Sequence, residues 1–139
     1  MRPHISINVK DVTKSVEFYK RVFGVEPQKR TGSYAKFDLK EPALNFAMQT
    51  SSTPSRVSHL GIEVDSAEEV TAWEKRLRAA GVLKAVEKDT SCCYARQDKA
   101  WFTDPDGNAW EVFYVHEQLP VNETEEKDEG FCADATCCA

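Results

Sequence analysis

His4-Ile5-Ser6-Ile7-Asn8-Val9 and His59-Leu60-Gly61-Ile62-Glu63-Val64 read alike: histidine, apolar, small, isoleucine, polar, valine. Each alternates with period two, the mark of a half-buried strand with its apolar residues on one face and its histidine on the other. The punctuation that follows is also repeated. In the first copy Asp11 is placed to cap a helix with the apolar stripe Val12, Val16, Tyr19 and Phe23, and Gly24 ends it. In the second, Ser66 and Glu69 make a capping box, Val70, Trp73 and Leu77 form the stripe, and Gly81 is the stop. Strand-like runs come next: Tyr34 to Leu39 and Leu44 to Gln49 in the first copy, then Leu83 to Lys88, Ala100 to Thr103 and Trp110 to Val115 in the second. Asp104-Pro105-Asp106-Gly107-Asn108 is a strong turn signal that joins the last two strands as a hairpin.

A strand, a helix and a short meander cannot bury both of their faces alone. The expected fold is therefore α+β: two βαβββ modules, about residues 1–50 and 56–116, completing one curved mixed sheet with helices outside and a cleft inside. Thr50 to Ser55, rich in Ser and Thr with one Pro, reads as the linker.

The chain has 139 residues, a net charge of −5 and five cysteines, a length that suits one domain with a sizeable core. No stretch approaches the roughly 18 consecutive apolar residues of a membrane span. The opening Met1 to Ile7 alternates apolar with polar, unlike a signal peptide, so a cytosolic protein is expected. Seven acids against one lysine give residues 117–139 a charge of −6, so residues 1–116 carry +1. The acidity belongs to the tail, which reads as disordered, and the balance argues against a nucleic-acid binder.

If a pseudo-twofold relates the copies, His4 and His59 occupy equivalent places on paired strands and can both face the cleft. Glu111 shares its strand face with Phe113 and Val115, and a carboxylate among apolar neighbours calls for a partner. Two histidines and a glutamate from separate strands make a facial triad with open positions, suited to Fe(II) oxygen chemistry but also able to take Mn, Co, Ni or Zn. Taken singly, His4 can equally be a surface histidine, His59 a hydrogen-bonded core residue and Glu111 the partner of a Lys or Arg. Asn45 takes the matching place in the first copy's last strand, where a fourth, carboxylate ligand would otherwise stand, so three protein ligands are expected.

Thr90-Ser91-Cys92-Cys93-Tyr94, flanked by polar residues, reads as a loop. Neighbouring Cα atoms lie about 3.8 Å apart, below the usual disulfide range of about 4.4 to 6.8 Å, so both thiols are expected to stay reduced. Two soft donors on one loop can chelate a thiophilic centre; alternatively one packs as a small hydrophobe and the other is incidental. Tyr94, Arg96 and Lys99 are near enough in sequence to orient a ligand or lower a thiol pKa, with plain solvent exposure the stronger reading for Arg96. Cys132, Cys137 and Cys138 are accessory thiols that can capture a soft metal and pass it on, or are not needed at all.

These residues resemble the vicinal oxygen chelate superfamily of glyoxalases, extradiol dioxygenases and bleomycin-resistance proteins. The resemblance rests on the paired βαβββ pattern, on His4 and His59, and on the Asp104 to Asn108 turn leading into Glu111. Within the superfamily, Asn8 to Asp11, Ser15 to Tyr19, Tyr34 to Phe37, Ser58 to Gly61, and above all Cys92-Cys93-Tyr94-Ala95 with Gln97-Asp98-Lys99, are similar to organoarsenical carbon-arsenic lyases. Cadmium-induced proteins share much of this pattern. The resemblance spans His4 to Val115. It implies an Fe(II)-dependent, dioxygen-consuming enzyme that breaks the carbon-arsenic bond of trivalent organoarsenicals such as methylarsonous acid. His4, His59 and Glu111 would hold iron, Cys92 and Cys93 would bind arsenic, and Tyr94 and Lys99 would assist. Some relatives carry Gln at the place of His4, and the cysteine-rich end inherits no role. Two other readings stay open: a non-catalytic thiol module for arsenite or Cd(II), and a glyoxalase-like metalloenzyme. The expected partner is a small organoarsenical, with no nucleic acid or membrane, for a monomer or a homodimer.

Overall fold

The computed structural model describes residues 1–54, 56–92 and 94–121. Its first module holds β1 (Arg2–Val9), α1 (Val12–Phe23), β2 (Lys29–Arg30), β3 (Tyr34–Lys40) and β4 (Ala43–Thr50). The second holds β5 (Val57–Glu63), α2 (Ala67–Ala79), β6 (Leu83–Cys92), β7 (Ala95–Thr103) and β8 (Ala109–Gln118). All eight strands form one sheet in the order β2-β3-β4-β1-β5-β8-β7-β6. β1 runs parallel to β4 and β5 parallel to β8, while β1 and β5 join the modules antiparallel at the centre. The expected two-module mixed sheet is the observed one.

Helix boundaries follow from capping chemistry. Asp11 accepts from the Lys14 amide at 3.0 Å, and Gly24 closes α1 at φ +70°, which glycine adopts without a steric penalty. Ser66 accepts from the Glu69 amide, but the Glu69 carboxylate takes the Asp65 amide at 2.6 Å rather than that of Ser66. The capping box is therefore shifted by one residue on its return side.

Period-two alternation sends one face of each inner strand to a helix and the other to the cleft. Val12 and Val16 of α1 pack with Phe37, Leu39, Phe46 and Met48, and Ile5 and Ile7 close against them. Val70 and Leu77 of α2 pack with Val64, Ala100 and Val112. Each module thus has its own core on the helix side. Among the described residues no helix is long and apolar enough to cross a membrane.

The structure departs from the sequence reading at three places. β2 was not expected, because two residues cannot display a period. Residues 90 to 92 are strand rather than loop, pairing as Thr90↔Gln97 and Cys92↔Ala95. Their polarity is that of an edge strand, where charged and polar side chains discourage pairing with another chain. β8 also runs past residue 116: Glu117 and Gln118 pair with Arg96 and Ala95, so ordered chain extends into what reads as tail.

A candidate metal centre at the join of the two modules

The cleft opens where β1, β4, β5, β7 and β8 turn their polar residues inward. His4, Ser6, Asn45, Ala47, His59, Gln97, Lys99 and Glu111 line it, with Phe113 and Val115 as an apolar flank. His4, His59 and Glu111 are all buried, and their ligand atoms lie within 4.8 Å of one another. The two Nε2 atoms are 3.0 Å apart, and Glu111 Oε1 lies 3.3 Å from that of His4 and 3.4 Å from that of His59.

Neighbouring side chains aim these donors. His4 Nδ1 faces two acceptors, the Asn45 backbone carbonyl at 3.1 Å and its Oδ1 at 3.0 Å, so Nδ1 carries the proton and the Nε2 lone pair points into the cleft. Asn45 is itself held, its Nδ2 donating to Glu63 Oε2 at 3.1 Å, while Arg2 grips the same carboxylate at 2.7 Å and also reaches Asp38. On the other ring, Ser58 Oγ sits 3.1 Å from His59 Nδ1 and accepts from Gln49 Nε2. With both Nδ1 atoms so occupied, the Nε2 atoms of two imidazoles and a carboxylate oxygen converge on one point, the donor set of a divalent cation. Donor spacings of 3.0 to 3.4 Å match adjacent ligands around one ion with bonds of about 2.1 Å, about 3.0 Å apart at octahedral and 3.4 Å at tetrahedral angles. The residues present therefore fit a divalent metal.

Lys99, fully buried, donates to Glu111 Oε2 at 3.1 Å. Burial alone would raise the Glu111 pKa, but the ammonium of Lys99 and the two facing imidazoles hold it well below the usual carboxylate range. Burial pushes His4 the other way, down to about 4. At neutral pH the site is a carboxylate and a neutral imidazole on His4, both in ligating form.

One pH dependence follows. Between pH 6.5 and about 4 the unfolded chain protonates His4 while the folded chain does not, so the unfolded state binds more protons and stability falls as pH is lowered. Glu111, depressed when folded, adds a loss in the same direction as pH drops below its unfolded value of 4.5. Metal-free protein is expected to lose roughly 3 kcal/mol from His4 alone across this window. Urea unfolding from pH 7 to 4 checks it, with His4→Gln flattening the profile.

The structure brings together His4, His59 and Glu111, with Lys99 added on the carboxylate. Lys99 stands at the metal side of the cleft, as the ionic partner that Glu111 called for. Cys92 lies at the end of β6, fully buried. Strand register puts it on the same sheet face as Thr90 and Gln97, and Gln97 Nε2 donates to its carbonyl at 2.8 Å. Tyr94 forms the hairpin turn at φ +59°, and its ring packs on Tyr34, a cleft residue. Arg96 pairs with Asp89 and Glu117 at the surface, where solvent exposure was the stronger reading. Cys93, Cys132, Cys137 and Cys138 lie outside the described residues.

The matching place for a fourth ligand needs correcting. β4 pairs Ser6 with Ala47, and β8 pairs Gly61 with Glu111. Ser6 and Gly61 are equivalent in the repeat, so the counterpart of Glu111 is Ala47. Asn45 sits beside His4 instead and orients it. The offset arises because register between parallel strands is set by tertiary pairing. Neither position supplies a carboxylate.

Residues 2–112 match the model of the Glyoxalase/Bleomycin resistance protein/Dioxygenase superfamily. The chain belongs to this superfamily. Among superfamily relatives, a trivalent organoarsenical cleaving enzyme of a Bacillus species (strain MD1) is 45% identical, over 87% of this chain and 77% of that one. Cadmium-induced protein CadI of Mycobacterium tuberculosis is 36% identical, over 96% of this chain and 93% of its own. Homoprotocatechuate 2,3-dioxygenase from Arthrobacter globiformis shares the fold at a TM-score of 0.65 and 24% identity, over 86% of this chain and 37% of that one.

Proposed function

We propose that the chain cleaves the carbon-arsenic bond of trivalent organoarsenicals such as methylarsonous acid, with Fe(II) held by His4, His59 and Glu111 and dioxygen as co-substrate. The observation that carries this reading is the convergence of two imidazole nitrogens and a carboxylate oxygen in a cleft whose polar wall continues, on one sheet face, to Cys92. The name of the Bacillus relative supports the substrate class. Fe(II) held by such a triad supplies the activation of dioxygen.

The chain's own side chains do the rest. Lys99 occupies one oxygen of Glu111, leaving the other to face the two imidazoles. Trivalent arsenic is thiophilic, so Cys92 and its sequence neighbour Cys93 anchor it and turn a bimolecular encounter into a positioned one. Phe113 and Val115 offer the organic group an apolar wall that limits water near the reacting carbon. For methylarsonous acid, CH3As(OH)2 and O2 balance to As(OH)3 and CH2O, arsenite and an oxidised one-carbon fragment. Pentavalent arsenicals do not bind until reduced.

The direct test is to supply methylarsonous acid to anaerobically purified protein, Fe(II)-loaded or metal-free, admit air and measure inorganic arsenite. Arsenite is expected from the loaded protein only, and Cys92→Ser removes it while retaining iron. Tight thiol-dependent arsenic binding with no arsenite from any form would instead support sequestration.

A further inference from the structure

Register lays four residues side by side across the cleft floor. Lys36 of β3 pairs with Ala47 of β4, Ala47 with Ser6 of β1, and Ser6 with His59 of β5, and all four line the cleft. At about 4.8 Å per strand, the backbones of His59 and Lys36 stand about 14 Å apart along the sheet. The two residues between them are small, so a trough runs from the metal triad toward Lys36, with Phe113 and Val115 as its apolar wall. The repeat accounts for this room. Ala47 is the counterpart of Glu111, and where the second module places a carboxylate the first places only a methyl group.

The far end of the trough is cationic. Lys36 is buried, 7% exposed, and β2 sets the equally buried Lys29 directly opposite it. Like charges facing each other across an antiparallel pair repel, and burial strengthens the effect by lowering the dielectric. Neutral oxygens anchor both: Lys36 Nζ donates to Gln118 Oε1 at 3.3 Å, and Lys29 Nζ to the carbonyls of Tyr94 and, at 3.1 Å, Leu119. An anion at this end is favoured by both charges, and charge-assisted hydrogen bonds are about twice as strong as neutral ones. We propose that Ser6, Ala47 and Lys36 form a subsite for the organic group of the substrate, selecting arsenicals whose group is longer than methyl and ends in an acid such as a carboxylate. Ala47 sets the bulk admitted and Lys36 reads the charge. This rests on the proposed function, which puts the carbon-arsenic bond beside the metal.

The test is anaerobic binding to the Co(II)-loaded full-length protein, followed through the visible absorption of the metal, which reports occupancy beside it. Phenylarsonous acid and para-carboxyphenylarsonous acid are the probes, with methylarsonous acid as reference. The carboxylate compound is expected to bind at least tenfold more tightly than the plain ring, on the scale of a hydrogen bond between charged groups. Lys36→Met removes that preference and Lys36→Arg restores it. Ala47→Leu, which fills the trough, lowers the affinity for the plain ring relative to methylarsonous acid about tenfold. A carboxylate preference that survives Lys36→Met contradicts the subsite, as does equal affinity for the two ring compounds in the unmodified protein. So does a visible spectrum that neither ring compound changes. A collapsed cleft in Lys36→Met would show as an equal loss for the plain ring and the acid, leaving the preference in place and the proposal contradicted. Should Lys36→Met not fold, the preference of the unmodified protein and the Ala47→Leu ratio decide. Absence of arsenite from every compound in air would sink the proposed function while leaving these affinity ratios standing, whereas arsenite with ratios near one sinks only the subsite.

Discussion

Glu111→Gln is expected to lose more than a hundredfold in metal affinity, since even outer partners of metal ligands contribute ten- to a hundredfold and this change removes the one anionic ligand found among the described residues. Glutamine keeps the shape and the apolar contacts, so the loss is one of charge and donor strength. The same substitution strands the buried Lys99 ammonium without its carboxylate. Removing one member of a buried ion pair costs about 3 to 5 kcal/mol. Two effects are thus mixed in one variant, and Lys99→Met separates them. In the double variant Glu111→Gln with Lys99→Met, stability recovers because neither charge remains, while metal affinity stays lost. Denaturant unfolding and Co(II) titration read the two quantities independently. Metal affinity that recovers along with stability would show that Glu111 supports the fold rather than the metal.

Gly61→Ala is expected to disrupt the centre without touching a ligand. A Cβ at Gly61 would sit 2.7 Å from the Glu111 carbonyl oxygen, 2.9 Å from Glu111 Cγ and 3.3 Å from His4 Cδ2. The first of these is backbone, so β5 and β8 must part or Glu111 must leave its position. Overpacking of this kind costs about 1 to 3 kcal/mol. A displaced carboxylate should weaken metal binding at least tenfold, on the scale of a lost outer partner. The equivalent place in the first module holds Ser6 opposite Ala47, so in each pair a small residue makes room for its neighbour, and only the second module uses that room for a ligand. Co(II) titration of Gly61→Ala at an unchanged circular dichroism spectrum checks this. Wild-type affinity would show that the close approach does not shape the site.

Much of this architecture was legible because the chain writes it twice. The paired His-apolar-small-Ile strands, with a capped helix after each, define the modules, and alternation alone puts His4, His59 and Glu111 on inward faces. What escaped the sequence depends on pairing across the sheet. Asn45 looked like the counterpart of Glu111 by order along its strand, whereas the parallel register gives that place to Ala47 and makes Asn45 the residue that orients His4. Lys99, close in sequence to the cysteines, stands instead on the metal carboxylate, because β7 pairs with both β6 and β8. Lys29 and Lys36 carried no periodic signal at all, since their partners lie 65 to 90 residues away across the cleft. Polarity at Thr90 and Ser91 suggested a loop where the chain forms an edge strand.

The central claim, that metal and thiols together break a carbon-arsenic bond with dioxygen, is tested most directly by comparing Fe(II)-loaded protein given methylarsonous acid with and without oxygen. The account predicts inorganic arsenite only when oxygen is present, with one dioxygen consumed for each arsenite formed. Equal arsenite in the absence of oxygen would contradict it.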